Sequence, residues 1–364
     1  TLFSPNFGRE TYLLGMRGDV VHQWRNHPLE PGNYAHLLPN GNLLWAGRTK
    51  EGNLPHTGGK GGLLRELDWN GQVVWEYRDD NQHHDFRRLA NGNTIYIAWE
   101  AMRPENAKRV RGGVPGTEKN GVIYGDYIRE IDSSGKTVWE WHSQDLEIEK
   151  YELNNIGHRE EFAHCNAVFP FENGDVMLSF RRISTIMIID RKTGKPKWEK
   201  TDLSWGMQHD CQMLENGNIL FFANGHDTGG PPASKVIELD PKTGNTVWEY
   251  AGDPPWTFHS PHISGQQRFA NGNTLICEGN WGRIFEVTPQ KEIVWEYISP
   301  FHGRQPSGTM ANWVFRAYRY AADSPEVRGR LGAAQTRDAA RGGVAVCARV
   351  GRSFRELGDD VRRG

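Results

Sequence analysis

Short runs of alternating apolar and polar residues recur along this chain, separated by one kind of turn. Asn40-Gly41-Asn42, Asn91-Gly92-Asn93, Asn173-Gly174-Asp175, Asn216-Gly217-Asn218 and Asn271-Gly272-Asn273 each lie between two such runs. Asn-Gly in that setting predicts a hairpin, because both residues tolerate the positive φ of a tight turn. A second motif, an apolar or β-branched pair leading into Trp-Glu, ends at Trp75, Trp139, Trp198, Trp248 and Trp295, with Val20 to Trp24 as a degenerate copy. A third run sits between the two motifs: Leu64 to Asp68, Ile128 to Asp132, Met187 to Asp190, Val236 to Asp240 and Ile284 to Val287. Each period therefore holds four strands.

Successive tryptophans lie 51, 64, 59, 50 and 47 residues apart. A four-stranded antiparallel sheet repeated at that period cannot bury both faces alone and must stack on its neighbours, which predicts an all-β propeller. Five blades are complete, with inner hairpins around Asn40, Asn91, Asn173, Asn216 and Asn271. The sixth is split: Val314 to Tyr320 supplies an inner strand, while Tyr12 to Leu14 and Val20 to Trp24 supply outer ones. Pairing the termini in one sheet removes the exposed edges that invite aggregation. The expected organisation is one six-bladed domain over residues 1–320. From 321 to 364 the chain has nine Arg, no Lys and no strand alternation, and is expected to be a disordered or weakly helical tail.

Composition narrows the function classes. With 43 Lys+Arg against 45 Asp+Glu the net charge is −2, which excludes an electrostatic reader of nucleic acid. No apolar run approaches the roughly 18 to 20 residues of a membrane span. The four cysteines are too widely spaced to suggest a disulfide framework or a zinc knuckle. No signal segment is visible, and neither compartment nor oligomeric state is marked.

The hairpin register points to chemistry. Seven residues before each Asn-Gly turn stand Asn33, His84, Asn166, His209 and Ser264, and two residues earlier stand His164 and His262. Eight residues after the turn stand Arg48, Trp99, Arg181, Asn224 and Gly279. Both sets fall at one end of the channel, so four histidines and two arginines are expected at one mouth. The long connections from Glu100 to Asp126 and from His142 to Phe162 open on that face, where function usually sits. A lone histidine near a strand end more often bonds a loop carbonyl, the reading for His22, His27, His56, His142 and His302. Four at equivalent heights in different blades suggest a site.

Three segments then resemble the bacterial arylsulfotransferase family: Gln82-His83-His84-Asp85 with Leu89 to Asn93, Ala163-His164-Cys165-Asn166-Ala167 with Ser179-Phe180-Arg181, and Gln208-His209-Asp210 with Phe222 to Gly225. The resemblance covers Tyr12 to Tyr320 and implies a six-bladed propeller. It implies His209 as the nucleophile that becomes sulfated, with His84, His164 and Arg181 around the sulfuryl group. The residue types suit that role. An imidazole nitrogen attacking sulfur splits one displacement into two, Arg181 and His164 hold the sulfuryl oxygens, and His84 exchanges the phenolic proton. Trp99, Asn224, Arg48 and Asn166 are the expected substrate contacts, with Trp99 as an aromatic wall. Asp85 and Asp210 are expected to partner the backbone or neighbouring blades. The partners would be an aryl sulfate and a phenol, with no cofactor.

Two departures suggest a divergent branch: no pattern for an N-terminal β-sandwich precedes the first blade, and no cysteine pair lies between Arg181 and His209. The resemblance implies a periplasmic or secreted protein, while a cytoplasmic one stays open. A second reading gathers His84, His164, His209 and His262 around one transition-metal ion, as in a lyase, oxygenase or hydrolase. A third is a propeller that binds a small ligand without turnover.

Overall fold

Six four-stranded antiparallel sheets are arranged in a ring. The computed structural model describes residues 1–332 except 26, 227 and 306. Blade 1 runs outward through Pro31–Leu37, Leu43–Arg48, Gly62–Leu67 and Val73–Arg78. Blade 2 comprises Gln82–Arg88, Thr94–Ala101, Tyr124–Ile131 and Thr137–His142, and blade 3 Cys165–Pro170, Val176–Phe180, Thr185–Ile189 and Pro196–Thr201. Blade 4 is His209–Met213, Ile219–Ala223, Lys235–Leu239 and Thr246–Ala251, and blade 5 is Gly265–Arg268, Thr274–Glu278, Arg283–Val287 and Ile293–Ile298.

Blade 6 closes the ring with one strand from the end of the repeat and three from its start. Val314–Tyr318 lies innermost and pairs with Leu2–Pro5, followed by Thr11–Leu14 and Val20–Trp24. The Leu2–Pro5 strand is absent from the sequence reading. Its four residues, Leu-Phe-Ser-Pro, carry no turn and too little alternation to announce a strand.

The recurring tryptophan has a structural reason. In each blade the outermost strand sends its indole N–H to a carbonyl at the outer turn of the next blade. Trp24 donates to Asp68, Trp75 to Ser133, Trp139 to Arg191, Trp198 to Pro241, Trp248 to Pro289 and Trp295 to Met16. Six equivalent bonds of 2.7–3.1 Å thus run once around the ring. Apolar clusters fill the spaces between sheets, one of them holding Ile97, Ile128, Trp141, Val168, Leu178 and Phe180 between blades 2 and 3.

The segment after the last strand is described as far as residue 332. Residues 321–332 form successive turns packed beneath blades 6 and 1, with Val327 buried beside Leu2 and Trp24, and the Arg330 guanidinium over Trp69. The rest of the expected tail, 333–364, lies outside the described residues.

Inside the channel one guanidinium joins four blades. Arg316, on the closing strand, is fully buried and lies 3.0 Å from Asp85 Oδ2 of blade 2 and 3.5 Å from Asp210 Oδ1 of blade 4, and it donates to the Asn166 carbonyl of blade 3 at 2.6 Å. Asp85 also accepts from the Val168 N–H of blade 3, and Asp210 from the Gln266 N–H of blade 5. Removing one partner of a buried ion pair strands the others in low dielectric. Arg316→Leu, which leaves two buried carboxylates, is therefore expected to lower stability by about 3–5 kcal/mol. The check is the denaturant midpoint at fixed m-value; an unchanged midpoint would contradict the role given to Arg316.

Candidate active site

The inner strands do not enter the channel as regular β structure. Their register slips near the mouth, between Pro31 and Ala35, His83 and Phe86, Cys165 and Ala167, and His209 and Gln212. His84, His164 and Asp210 adopt φ of 51°, 57° and 52° there. A non-glycine residue in the left-handed region costs about 1–3 kcal/mol and persists only where the surroundings enforce it. Such bulges re-aim side chains. As a result His84 and the adjacent Asp85 are both buried in the channel, one facing His164 and the other Arg316, which strict alternation does not give.

The loop before the third strand of blade 1 fixes His84. The Gly59 carbonyl accepts the His84 N–H at 2.7 Å, and a Cβ on Gly59 would lie 2.0 Å from the imidazole. With φ of +83° as well, glycine is the residue this contact requires. The His84 and His164 rings meet edge to face at 4.6 Å, and Phe315 of the closing strand stands 6.0 Å from His84 and 6.3 Å from His209. The Arg316 guanidinium lies 5.1 Å from the Phe315 ring centre.

His209 is held through its Nδ1, which lies 2.7 Å from Asn224 Oδ1. The amide orientation is fixed on its other side, since Asn224 Nδ2 donates to the Ser260 carbonyl at 2.6 Å and to Ser264 Oγ at 3.1 Å. An amide oxygen only accepts, so His209 Nδ1 carries the proton and Nε2 keeps its lone pair. Burial, and then the charge of Arg181, hold His209 well below its ordinary pKa. His84 is likewise held down by burial and by its three histidine neighbours, and His164 by burial. The site is a cluster of neutral imidazoles. Arg181 is pushed down to about 10 by burial and the adjacent Arg182, and so stays cationic at neutral pH.

A carboxylate that the register does not reveal completes the site. Glu161, fully buried at the end of the long loop from blade 2, lies 2.7 Å from His164 Nδ1 and accepts the Trp99 indole N–H at 3.0 Å. Burial alone would raise its pKa, but His164 and Arg182 outweigh that and keep it ionised. That loop is anchored by parallel pairing of Arg111–Val114 with Glu152–His158. Only the length of the loop marked it in the sequence.

Three expected substrate contacts take other places. Trp99 has no exposed surface; its face stacks on His83 at 4.0 Å and its N–H is held by Glu161, so it supports the site from behind instead of walling the substrate. Asn166 is buried and donates to the Gln208 carbonyl of blade 4 at 2.8 Å, a blade-to-blade link. Arg48 is turned to the Thr57 carbonyl of its own loop at 3.1 Å. Asn224 is at the site, but behind His209. Of the isolated histidines, His22 and His302 bond backbone carbonyls, as their sequence setting suggests.

His262 packs edge-on against Trp313 at 4.7 Å and lies near Arg181 and His226, outside the trio of His84, His164 and His209. Among the described residues no group of three or more His, Cys, Asp or Glu side chains is arranged to hold a metal ion. The described cysteines, Cys165, Cys211 and Cys277, are buried and unpaired. No helix among the described residues is long and apolar enough to cross a membrane.

A ring of six blades with neutral imidazoles and a guanidinium gathered at one mouth defines an enzyme-like propeller. Comparison with known proteins places it further. The profile of the arylsulfotransferase (ASST) family matches residues 35–300, well over half of the chain, and the chain belongs to that family. No curated protein matches it. Among solved structures, a protein of unknown function from Bacteroides caccae is similar at a TM-score of 0.55 and 11% identity, over 86% of this chain and 96% of that one. Virginiamycin B lyase from Staphylococcus aureus is similar at 0.41 and 14%, over 73% of this chain and 69% of that one. The first likeness shows the fold alone.

The buried histidines make a pH prediction. His27, His83 and His262 are pushed down by burial to about 4, 3 and 4, and His84, His164 and His209 are also lowered. A histidine with a depressed folded pKa leaves stability intact above its unfolded value near 6.5 and removes it as pH falls below that value, because only the unfolded chain takes the proton. Each contributes up to about 1.4 kcal/mol per pH unit while the two values straddle the pH. Asp126, raised by burial, offsets one of these protons below neutral pH. The denaturation midpoint is expected to fall steeply from pH 6.5 to 4.5, with uptake of several protons on unfolding. A flat midpoint over that window would contradict neutral burial.

Proposed function

We propose that this chain moves a sulfuryl group from an aryl sulfate to a phenol through a sulfated His209. The observation that carries the reading is the Asn224 lock on His209 Nδ1, which leaves Nε2 as a nucleophile with its lone pair free. In the first half-reaction Nε2 forms a bond to sulfur while the bond from sulfur to the aryl oxygen breaks, and the departing phenolate takes a proton from His84. In the second, a phenol attacks sulfur, the bond from nitrogen to sulfur breaks, and the phenolic proton returns to His84. Arg181 faces the sulfuryl oxygens, and His164, whose Nδ1 is taken by Glu161, joins it as a donor from Nε2 when it takes up a proton, a state that the Glu161 charge favours. The guanidinium supplies charge, and Glu161 on Nδ1 of His164 steadies its ring. Membership in the arylsulfotransferase family supports transferase chemistry on small aryl substrates.

The test is intact mass after brief exposure to an aryl sulfate without acceptor, with metal content measured on the same sample. The expected result is one sulfuryl adduct, lost on adding a phenol and absent in His209→Ala, whose turnover falls by roughly 10⁴-fold or more. No adduct together with near-stoichiometric metal would overturn the reading and favour the multi-histidine metal site.

A further inference from the structure

Behind His84 lies a second, fully buried imidazole that the transfer mechanism leaves unused. His83 Nδ1 is 2.7 Å from His84 Nδ1, and His83 Nε2 is 3.3 Å from Asp126 Oδ1. His83 and Asp126 are at most 1% exposed, and neither of the facing atoms, His83 Nε2 or Asp126 Oδ1, has a hydrogen-bond partner among the described residues. The other Asp126 oxygen accepts the Cys165 N–H at 2.9 Å and His83 stacks on Trp99, so a small rotation of the protonated Oδ1 is what closes the 3.3 Å gap to His83 Nε2. The charged and titratable groups around them are Glu161, Lys60, Asp79, His164 and Arg182.

Two nitrogens 2.7 Å apart share one hydrogen, which makes the tautomers of the two histidines interdependent. If Asp126 carries a proton it donates to His83 Nε2, His83 Nδ1–H donates to His84 Nδ1, and His84 presents Nε2–H, an acid. If Asp126 is ionised every proton has moved one place, and His84 Nε2 is bare, a base. A ping-pong reaction needs both states in alternation.

We propose that Asp126, His83 and His84 form a proton relay that stores, on Asp126, the change in charge between the two half-reactions. This rests on the sulfuryl-transfer reading. In the first half-reaction His84 Nε2 gives its proton to the departing phenolate oxygen, the His83 Nδ1 proton passes to His84 Nδ1, and the Asp126 proton passes to His83 Nε2, leaving a carboxylate. In the second, the phenolic proton enters at His84 Nε2 and the chain reverses, restoring the neutral acid. Burial and the neighbouring Glu161 charge, which raise the Asp126 pKa, agree with a protonated resting state. His83 and Asp126 touch no substrate; they position protons on the group that does.

The experiment is single-turnover sulfation of His209 with para-nitrophenyl sulfate, whose phenolate leaves unaided, and with phenyl sulfate, which needs the proton. Asp126→Asn keeps the shape and yields no proton, so it is expected to leave the first donor little changed and slow the second by roughly 10²-fold or more. Equal losses on both donors, or none on either, would overturn the relay. The unmodified protein gives an independent reading. With phenyl sulfate, the rate against deuterium fraction of the solvent is expected to be bowed, because more than one proton moves, whereas a straight line would overturn the relay. Absence of any adduct in the unmodified protein with either donor would instead remove the sulfuryl-transfer reading, and the relay with it.

Discussion

The Arg316 guanidinium, held between Asp85 and Asp210 under the mouth of the channel, is the interaction on which the remainder depends. It lies on the strand that closes the ring and reaches carboxylates in blades 2 and 4 and a carbonyl in blade 3. Closure of the sheet and convergence of the histidines are therefore one event. Those carboxylates sit one residue after His84 and His209, so fixing them fixes the bulges that aim the imidazoles. Burial, which alone would raise Asp85, is outweighed by Arg87 and Arg316, and the carboxylate stays ionised. The positive left-handed φ at His84, His164 and Asp210 is the conformational cost of that arrangement, and the ion pairs offset it.

The same charge helps to set the chemistry. Burial, then Arg181 and Arg316, disfavour a proton on His209, so its imidazole stays neutral. Negative charge enters only from behind, where Glu161 balances Arg182 and orients His164. In the proposed reaction a sulfuryl group, with one negative charge spread over three oxygens, would meet Arg181 and the His84 N–H in front while the carboxylates stay behind the imidazoles. Electrostatic preorganisation of this kind needs a rigid frame. The six indole bonds from blade to blade and the packed clusters between sheets provide one.

Most of the fold is legible in the sequence because each blade repeats the same local physics. Asn-Gly turns, the Trp-Glu strand and a fixed period give six blades and the split closure, and of the blade strands only Leu2–Pro5 is too short to register. The position of His84, His164, His209, Arg181 and Asn224 at one mouth follows from the hairpin register, although the register gives height and not direction. Bulges at the inner-strand entrances break the two-residue alternation, which is why Asn166 turns to a structural bond and Asp85 turns inward, while Trp99 and Arg48 stand on regular second strands and are taken up by Glu161 and the Thr57 carbonyl. Glu161 and Arg316 could not be found by register at all. One arrives on a long loop and the other from a strand without an Asn-Gly hairpin.

The central claim is that sulfur is attacked twice, once by His209 and once by the acceptor. Its most direct test is the stereochemical course at sulfur, using an aryl sulfate made chiral with the three oxygen isotopes and analysing the aryl sulfate product. Two in-line displacements predict retention of configuration. Inversion would mean a single direct transfer between phenols and would contradict the role given to His209.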